Sequence, residues 1–263
     1  SLEIIDALGR LATPGAVSRL RRFIKSAVPA LSVPAAMALL RHGNEADQVL
    51  AIRHLVRLPA VPAESREPVA AELRSVMNGT SKMAVRVEAA WGLESITGNG
   101  EGWQYLVAHA SNAEAARGLA LLGAASPERY RDPARESLQR ALSQAREPWF
   151  VVHLAWALAA LDDFSGASAL LRDDLFFRQT GEVRKLLGQA LPDFPGVQEE
   201  RLLKLRAELA SQLRANGAAD LEARLQTLDD FFDAFLVLPR ARAVLGDRAL
   251  TSKEREALEK AHL

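Results

Sequence analysis

Six positions along the chain, Arg21, Arg53, Arg86, Arg117, His153 and Arg184, share one apolar setting and recur at intervals of 32, 33, 31, 36 and 31 residues. The residue before each is Leu20, Ile52, Val85, Ala116, Val152 or Val183, and the third after is Ile24, Val56, Ala89, Ala120, Trp156 or Leu187. The sixth after is small or Pro: Ala27, Pro59, Gly92, Gly123, Ala159 and Ala190. Offsets of minus one, plus three and plus six recur at the interval of a helical face. The same face is written repeatedly, which predicts a stack of units, each covered by its neighbours.

Between these register helices lies a second helical pattern, with breakers where a two-helix unit needs them. Pro34 opens a short helix that ends at His42-Gly43, and the helix carrying Arg53 runs to Pro59. A helix from about residue 65 to Met77 stops at Asn78-Gly79, and Thr80 or Ser81 caps the one carrying Val85 to Ile96. Glu101 to Ala110 follows, then Ser111 and Glu114 as a capping box. Asp132-Pro133 starts a helix to about Ala145, and Pro148 starts the one bearing His153. Phe164 to Phe177 is its partner, Thr180 precedes the helix of Arg184, and Pro192 and Pro195 close the series.

Two helices per unit, a polar residue six before the Arg (Asp47, Thr80, Ser111, Glu147), the dipeptides Val85-Arg86 and Val183-Arg184 and the run Ala89-Ala90-Trp91-Gly92-Leu93 resemble HEAT repeats. The resemblance spans about residues 14 to 195 and implies a right-handed α-solenoid, with register helices lining its concave side. It further implies that Arg21, Arg53, Arg86, Arg117 and Arg184 form a structural ladder between units, with Asp47 and Arg53 as the pair most like that arrangement. The organisation expected is therefore a repeat array over residues 1–195 and a C-terminal cap over 196–263. The register fails beyond Arg184, because Asp230 would take the small position. Leu202, Leu205, Leu209 and Leu213 instead line one helix ending at Asn216-Gly217, and Leu221, Leu225, Leu228, Phe232 and Phe235 line the next. A last helix starts at Thr251, with Glu254 as its box partner.

Composition changes this picture little. Apolar residues make up 49% and aromatics only 6%, which favours helix over strand. Thirty-three basic and thirty-three acidic residues cancel, which speaks against a dedicated nucleic-acid binder. The balance is uneven, since residues 1–62 carry eight Lys or Arg against four Asp or Glu. Zero cysteines exclude thiolate catalysis and disulfides and fit a reducing, cytoplasmic setting. No apolar run approaches the roughly 20 residues a bilayer span needs, so a soluble protein is expected. The chain opens on Ser1 rather than Met, leaving open a removed signal or an origin as a regulatory module of a larger protein.

Candidate chemistry is sparse. Gly98-Asn99-Gly100-Glu101-Gly102 lacks the preceding strand and the Lys of a phosphate loop and reads as an inter-helix turn. His42, His54, His109, His153 and His262 include no pair three or four apart, so no metal site is expected. No cofactor or catalytic centre is evident. Glu88 is the one charge at a position otherwise held by Phe23, Leu55, Leu119, Ala155 and Leu186, and pairing with a neighbouring Arg accounts for it. The expected function is a non-enzymatic scaffold that binds a protein or peptide on the concave face, through Arg57, Glu88, Trp91, Glu94, His153 and Trp156, with core packing the default role of the tryptophans. An alternative follows from HEAT-like DNA glycosylases, which this chain resembles in its aromatic and acidic residues. It casts Trp156, Asp162 and Asp163 in the site, with Arg19, Arg21, Arg22 and Lys25 on phosphates. The apolar cluster around Phe231 and Leu238 is either covered by the final helix or docks another chain.

Overall fold

Ala and Leu fill most apolar positions, and the computed structural model is helical, with no strand among its described residues. Those residues are 2–11, 13–26, 28–58, 61–79, 82–172, 175–178, 199–230 and 232. In chain order they form α1 (Leu2–Leu11), α2 (Pro14–Ile24), α3 (Pro29–His42), α4 (Glu45–Arg57), α5 (Ala63–Asn78), α6 (Met83–Thr97) and α7 (Glu101–Ala108). Then come α8 (Ala113–Ala125), α9 (Pro127–Gln144), α10 (Pro148–Ala159), α11 (Gly166–Leu171), α12 (Leu175–Arg178) and α13 (Glu199–Ala215), with residues 221–230 helical after it. The chain divides into two compact units, Ser1–Tyr130 and Arg131–Leu263, and the division falls within α9. The boundary expected at residues 195 and 196 lies outside the described residues, as do Arg184, Thr180 and Thr251.

The first unit is two layers of helices. Odd-numbered helices touch in the order α1, α3, α5, and even-numbered ones in the order α2, α4, α6, α8. Sequential contacts such as α3 with α4, α5 with α6 and α7 with α8 join the layers. Leu20, Leu39, Ile52, Leu55, Leu73, Leu93, Leu106 and Leu119 are buried between them, each worth roughly 1.5 to 3 kcal/mol relative to an exposed position. Small residues set the spacing. A Cβ on Gly92 would lie 2.8 Å from Ile52 Cγ2, so this register glycine is what lets α6 lie against α4. At Gly118 the corresponding closeness is to Leu106, at 3.0 Å.

In the second unit α10 is apolar on nearly every side and is buried from Phe150 to Ala159 except at His153. It packs against α11 and α13. Gly166 admits the crossing, since a Cβ there would sit 2.6 Å from Ala155 Cα. Arg135 of α9 donates to the Leu161 carbonyl from Nε at 3.0 Å and Nη2 at 2.7 Å, satisfying an acceptor at the end of α10.

Several helix starts differ from the sequence expectation. α3 begins at Pro29 and α9 at Pro127, each more than a turn before the prolines at 34 and 133, which lie inside the helices. Each lies past the four orphan amides of its helix start, so each gives up one intrahelical hydrogen bond, to the carbonyl of residue 30 or 129, and the helix continues through it. The cap of α8 is Asn112, whose Oδ1 accepts from Glu114 N at 3.0 Å and Ala115 N at 3.3 Å, in place of the expected Ser111 box. The partner of α10 is split into α11 and α12. Pro148 opens α10 as expected, and Pro14 opens α2, each at a first helical position.

The close approaches make a direct prediction. Gly102→Ala places a Cβ 2.1 Å from the Ala90 carbonyl oxygen and should cost about 1 to 3 kcal/mol or more, read as a lower urea midpoint. Gly15→Ala, with nothing within 4 Å, should leave the midpoint unchanged or raise it.

Candidate functional site

The even-numbered layer of the first unit is crossed by a chain of ion pairs. Arg21 Nε on α2 donates to Asp47 Oδ1 on α4 at 2.6 Å. Arg53 on α4 donates through Nη2 to Glu88 Oε1 on α6 at 2.8 Å, and Arg117 on α8 donates to the same oxygen through its own Nη2. Three of the six register residues thus link four neighbouring helices. The fourth, Arg86, donates instead to the Met77 carbonyl at 2.9 Å and lies over the Tyr105 ring.

Local structure explains each acid. Asp47 is the third residue of α4, and its Oδ2 accepts from Asn44 N at 3.3 Å while Asn44 Oδ1 accepts from Asp47 N at 3.0 Å. This capping box fixes the carboxylate, leaving its other oxygen for Arg21. The pairing expected with Arg53 does not form, because Arg53 is on Asp47's own helix and reaches the next one. Glu88 has Ala89, Ala90 and Val87 beside it and is buried, with two arginines on one oxygen and, among the described residues, no hydrogen-bond partner on Oε2. Burial also lowers the pKa of His54, the residue after Arg53, which favours its neutral ring.

Exposure is distributed unequally along the chain of pairs. The side chains of Asp47 and Glu88 are 2% and 5% exposed, whereas those of Arg21, Arg53 and Arg117 are 47%, 29% and 11% exposed. The acids lie beneath and the guanidinium groups toward solvent, as expected of long stems laid over apolar surface. Trp91, one turn beyond Glu88, is half-buried with Arg117 over its ring at 5.7 Å. Leu50, one turn before Arg53, and Arg57, one turn after it, are exposed. Arg57, Trp91 and the ladder arginines therefore share this layer.

The remaining candidates lie elsewhere. Glu94 is buried and accepts from Gly100 N at 3.1 and 3.0 Å, from Trp103 N at 3.2 Å and from the Tyr130 hydroxyl. It is the N-terminal cap of α7, supplied by α6 across a turn in which Gly98 and Gly100 take left-handed φ values of 59° and 90°. The glycine-rich turn therefore does hold an anion at its amides, and the anion is the protein's own carboxylate. Trp103 stacks on Tyr130 at 5.0 Å and closes the cluster. Sequence reading missed this cap; a second acid on the apolar helix of Glu88 was its only sign. In the second unit Trp156 is buried within the core and offers no ring to a ligand. His153 is half-buried, with Nδ1 2.8 Å from the Trp149 carbonyl and the exposed Trp149 ring edge-on. Asp162 receives Arg201 Nε at 2.9 Å and Nη2 at 3.1 Å, and this guanidinium holds its carboxyl below the ordinary range. Asp163 accepts from Gln139 at 2.7 Å and from Ser165 N at 2.9 Å. These contacts join α9, the α10 terminus and α13. Among the described residues no three His, Asp or Glu side chains gather as metal donors, and no helix is long and apolar enough to cross a membrane. The sequence matches no protein-family model, no curated protein and no solved structure.

Two measurements check the electrostatics. Glu88→Ala removes the buried acceptor shared by two arginines and should cost about 3 to 5 kcal/mol, whereas Glu72→Ala, which breaks the more exposed Arg41–Glu72 pair, should cost less than about 1 kcal/mol. Equal losses would mean that the ladder does not organise the layer. Tyr130 is pushed up to about 12 by burial and by the Glu94 carboxylate. The folded chain then holds that proton more tightly than the unfolded one, so stability should fall as pH rises from about 10 toward 12. Urea midpoints of Tyr130→Phe should lack that part of the fall.

Proposed function

We propose that this chain is a HEAT-like helical-repeat protein that binds a partner protein or peptide on the solvent side of its even-numbered helices, the concave side on the HEAT-like reading. The carrying observation is the ladder itself: acids buried between successive register helices, with cations, Leu50 and Trp91 left on the solvent side. Its role within the fold consumes the acids and leaves a row of rigidly based side chains at each helical step, the arrangement with which stacked helices present extended surfaces. The odd-numbered layer differs, because Arg41 with Glu72 and Arg74 with Glu101 pair closer to the surface, where both charges are partly exposed.

Trp156 and Asp162 do not favour the glycosylase alternative, since one is core and the other serves Arg201. The test is cross-linking capture from cell extract with the native chain and with Trp91→Ala/Arg57→Glu. A partner cross-linked to α4 or α6 and lost in the double variant supports the reading. Undiminished recovery, or loss on changing Glu72 and Arg74 instead, would move the interface off this face.

A further inference from the structure

The partner chemistry that this face fits is narrower than protein in general. It rests on the binding reading above and concerns only which partners the face accepts. α2 carries Arg19, Arg21 and Arg22 with no acidic residue in its range, Lys25 is its C-terminal cap residue, and all four side chains are exposed. Arg21 is engaged by Asp47, but Arg19, Arg22 and Lys25 form no ion pair among the described residues. On α4, which packs on α2, Arg57 is likewise exposed and unpaired one turn beyond Arg53. Lys25 stands one turn beyond Arg21 in the same way. The two helices therefore repeat one motif, a ladder arginine followed four residues later by a free cation.

Asp47, the acid that crosses between these two helices, has both oxygens used inside the fold. Glu45, the other acid of α4, lies at its first residue and pairs with Lys82 at 3.0 Å. What faces solvent along α2 and the last turn of α4 is thus positive, although the whole chain has no net charge. Exposed Leu50 adds an apolar contact on the same side of α4 as Arg53 and Arg57.

We infer that the α2–α4 face is a docking site for an acidic peptide segment of a partner protein. Its carboxylates meet Arg22, Lys25 and Arg57, and an apolar side chain rests at Leu50. Charge complementarity selects the occupant, as arginine clusters do for acidic motifs. A nucleic-acid strand fits less well. The next even-numbered helix, α6, offers Trp91 and Ser95 where a phosphate track needs a continuing line of cations.

The test is selection of random twelve-residue peptides displayed on phage against the immobilised full chain, followed by anisotropy titration of the enriched peptides. Enriched sequences should be acidic with an apolar residue, and their affinity should fall with added salt. It should also fall about tenfold or more in Arg22→Glu/Lys25→Glu/Arg57→Glu, whose circular dichroism and urea midpoint stay close to native because these side chains are exposed. A twelve-nucleotide single strand and a lysine-for-glutamate peptide should bind at least tenfold more weakly. Enrichment of neutral or basic peptides that still depend on Trp91 would overturn the acidic assignment and leave the binding face standing. Absence of any enriched peptide would sink both, and preference for the oligonucleotide would replace the peptide with a nucleic acid.

Discussion

A carboxylate buried between helices, with a guanidinium reaching it from a neighbouring helix, is the constraint around which the first unit is organised. Taking Asp47 and Glu88 out of water costs several kcal/mol each unless a cation meets them, so the packing of α2, α4, α6 and α8 is tied to positions where an arginine reaches. Apolar contact alone is less selective, because Ala- and Leu-rich faces slide past one another at small cost. The ion pairs supply register more than net stability. Gly92 and Gly118 complement them by bringing the helices close enough for side chains of arginine length to bridge.

The same physics appears in a second form at Glu94. Here the positive group is the amino end of α7, with the amides of Gly100 and Trp103 and the hydroxyl of Tyr130. α7 spans only Glu101–Ala108, and its N-cap residue, Gly100, has no side chain with which to close the first turn. Borrowing a carboxylate from α6 solves that problem and fastens α7 to the helix before it. Ala90 and Glu94 occupy the space that a Cβ on residue 102 would need, so the glycine-rich turn is shaped by the helix that supplies its buried anion.

Helical class and most helix positions were legible in the sequence, because period and breakers are local properties. The register of Arg21, Arg53, Arg86 and Arg117 was legible for the same reason, and so was the oddity of a charge at position 88. Partner choice was not. Asp47 lies six residues before its register arginine and Glu88 two after, so each bridge depends on how far one helix is offset along the next, which sequence spacing does not encode. Arg86 shows the consequence: with the equivalent apolar neighbours, it finds a backbone carbonyl and a tyrosine ring. Starts at Pro29 and Pro127 were obscured because a proline inside a helix carries the same letter as one at its first residue. Glu94 was read as a surface residue, and for Trp156 core packing and a place on the concave face both stood, since periodicity marks a helical face and leaves open how many neighbouring helices cover it.

That asymmetry between depth and composition bears on function. A count of thirty-three against thirty-three treats every charge alike, yet a buried acid and an exposed arginine contribute differently to the field outside the molecule. Asp47 is enclosed at the base of α4 while Arg22, Lys25 and Arg57 stand in solvent, so a chain neutral in sum presents a cationic surface at one place. The burial that fixes helix register also separates the signs of charge by depth. On the proposed reading, a docking surface of one sign is a by-product of the fold's own stabilising pairs, with only a few additional exposed cations needed to complete it.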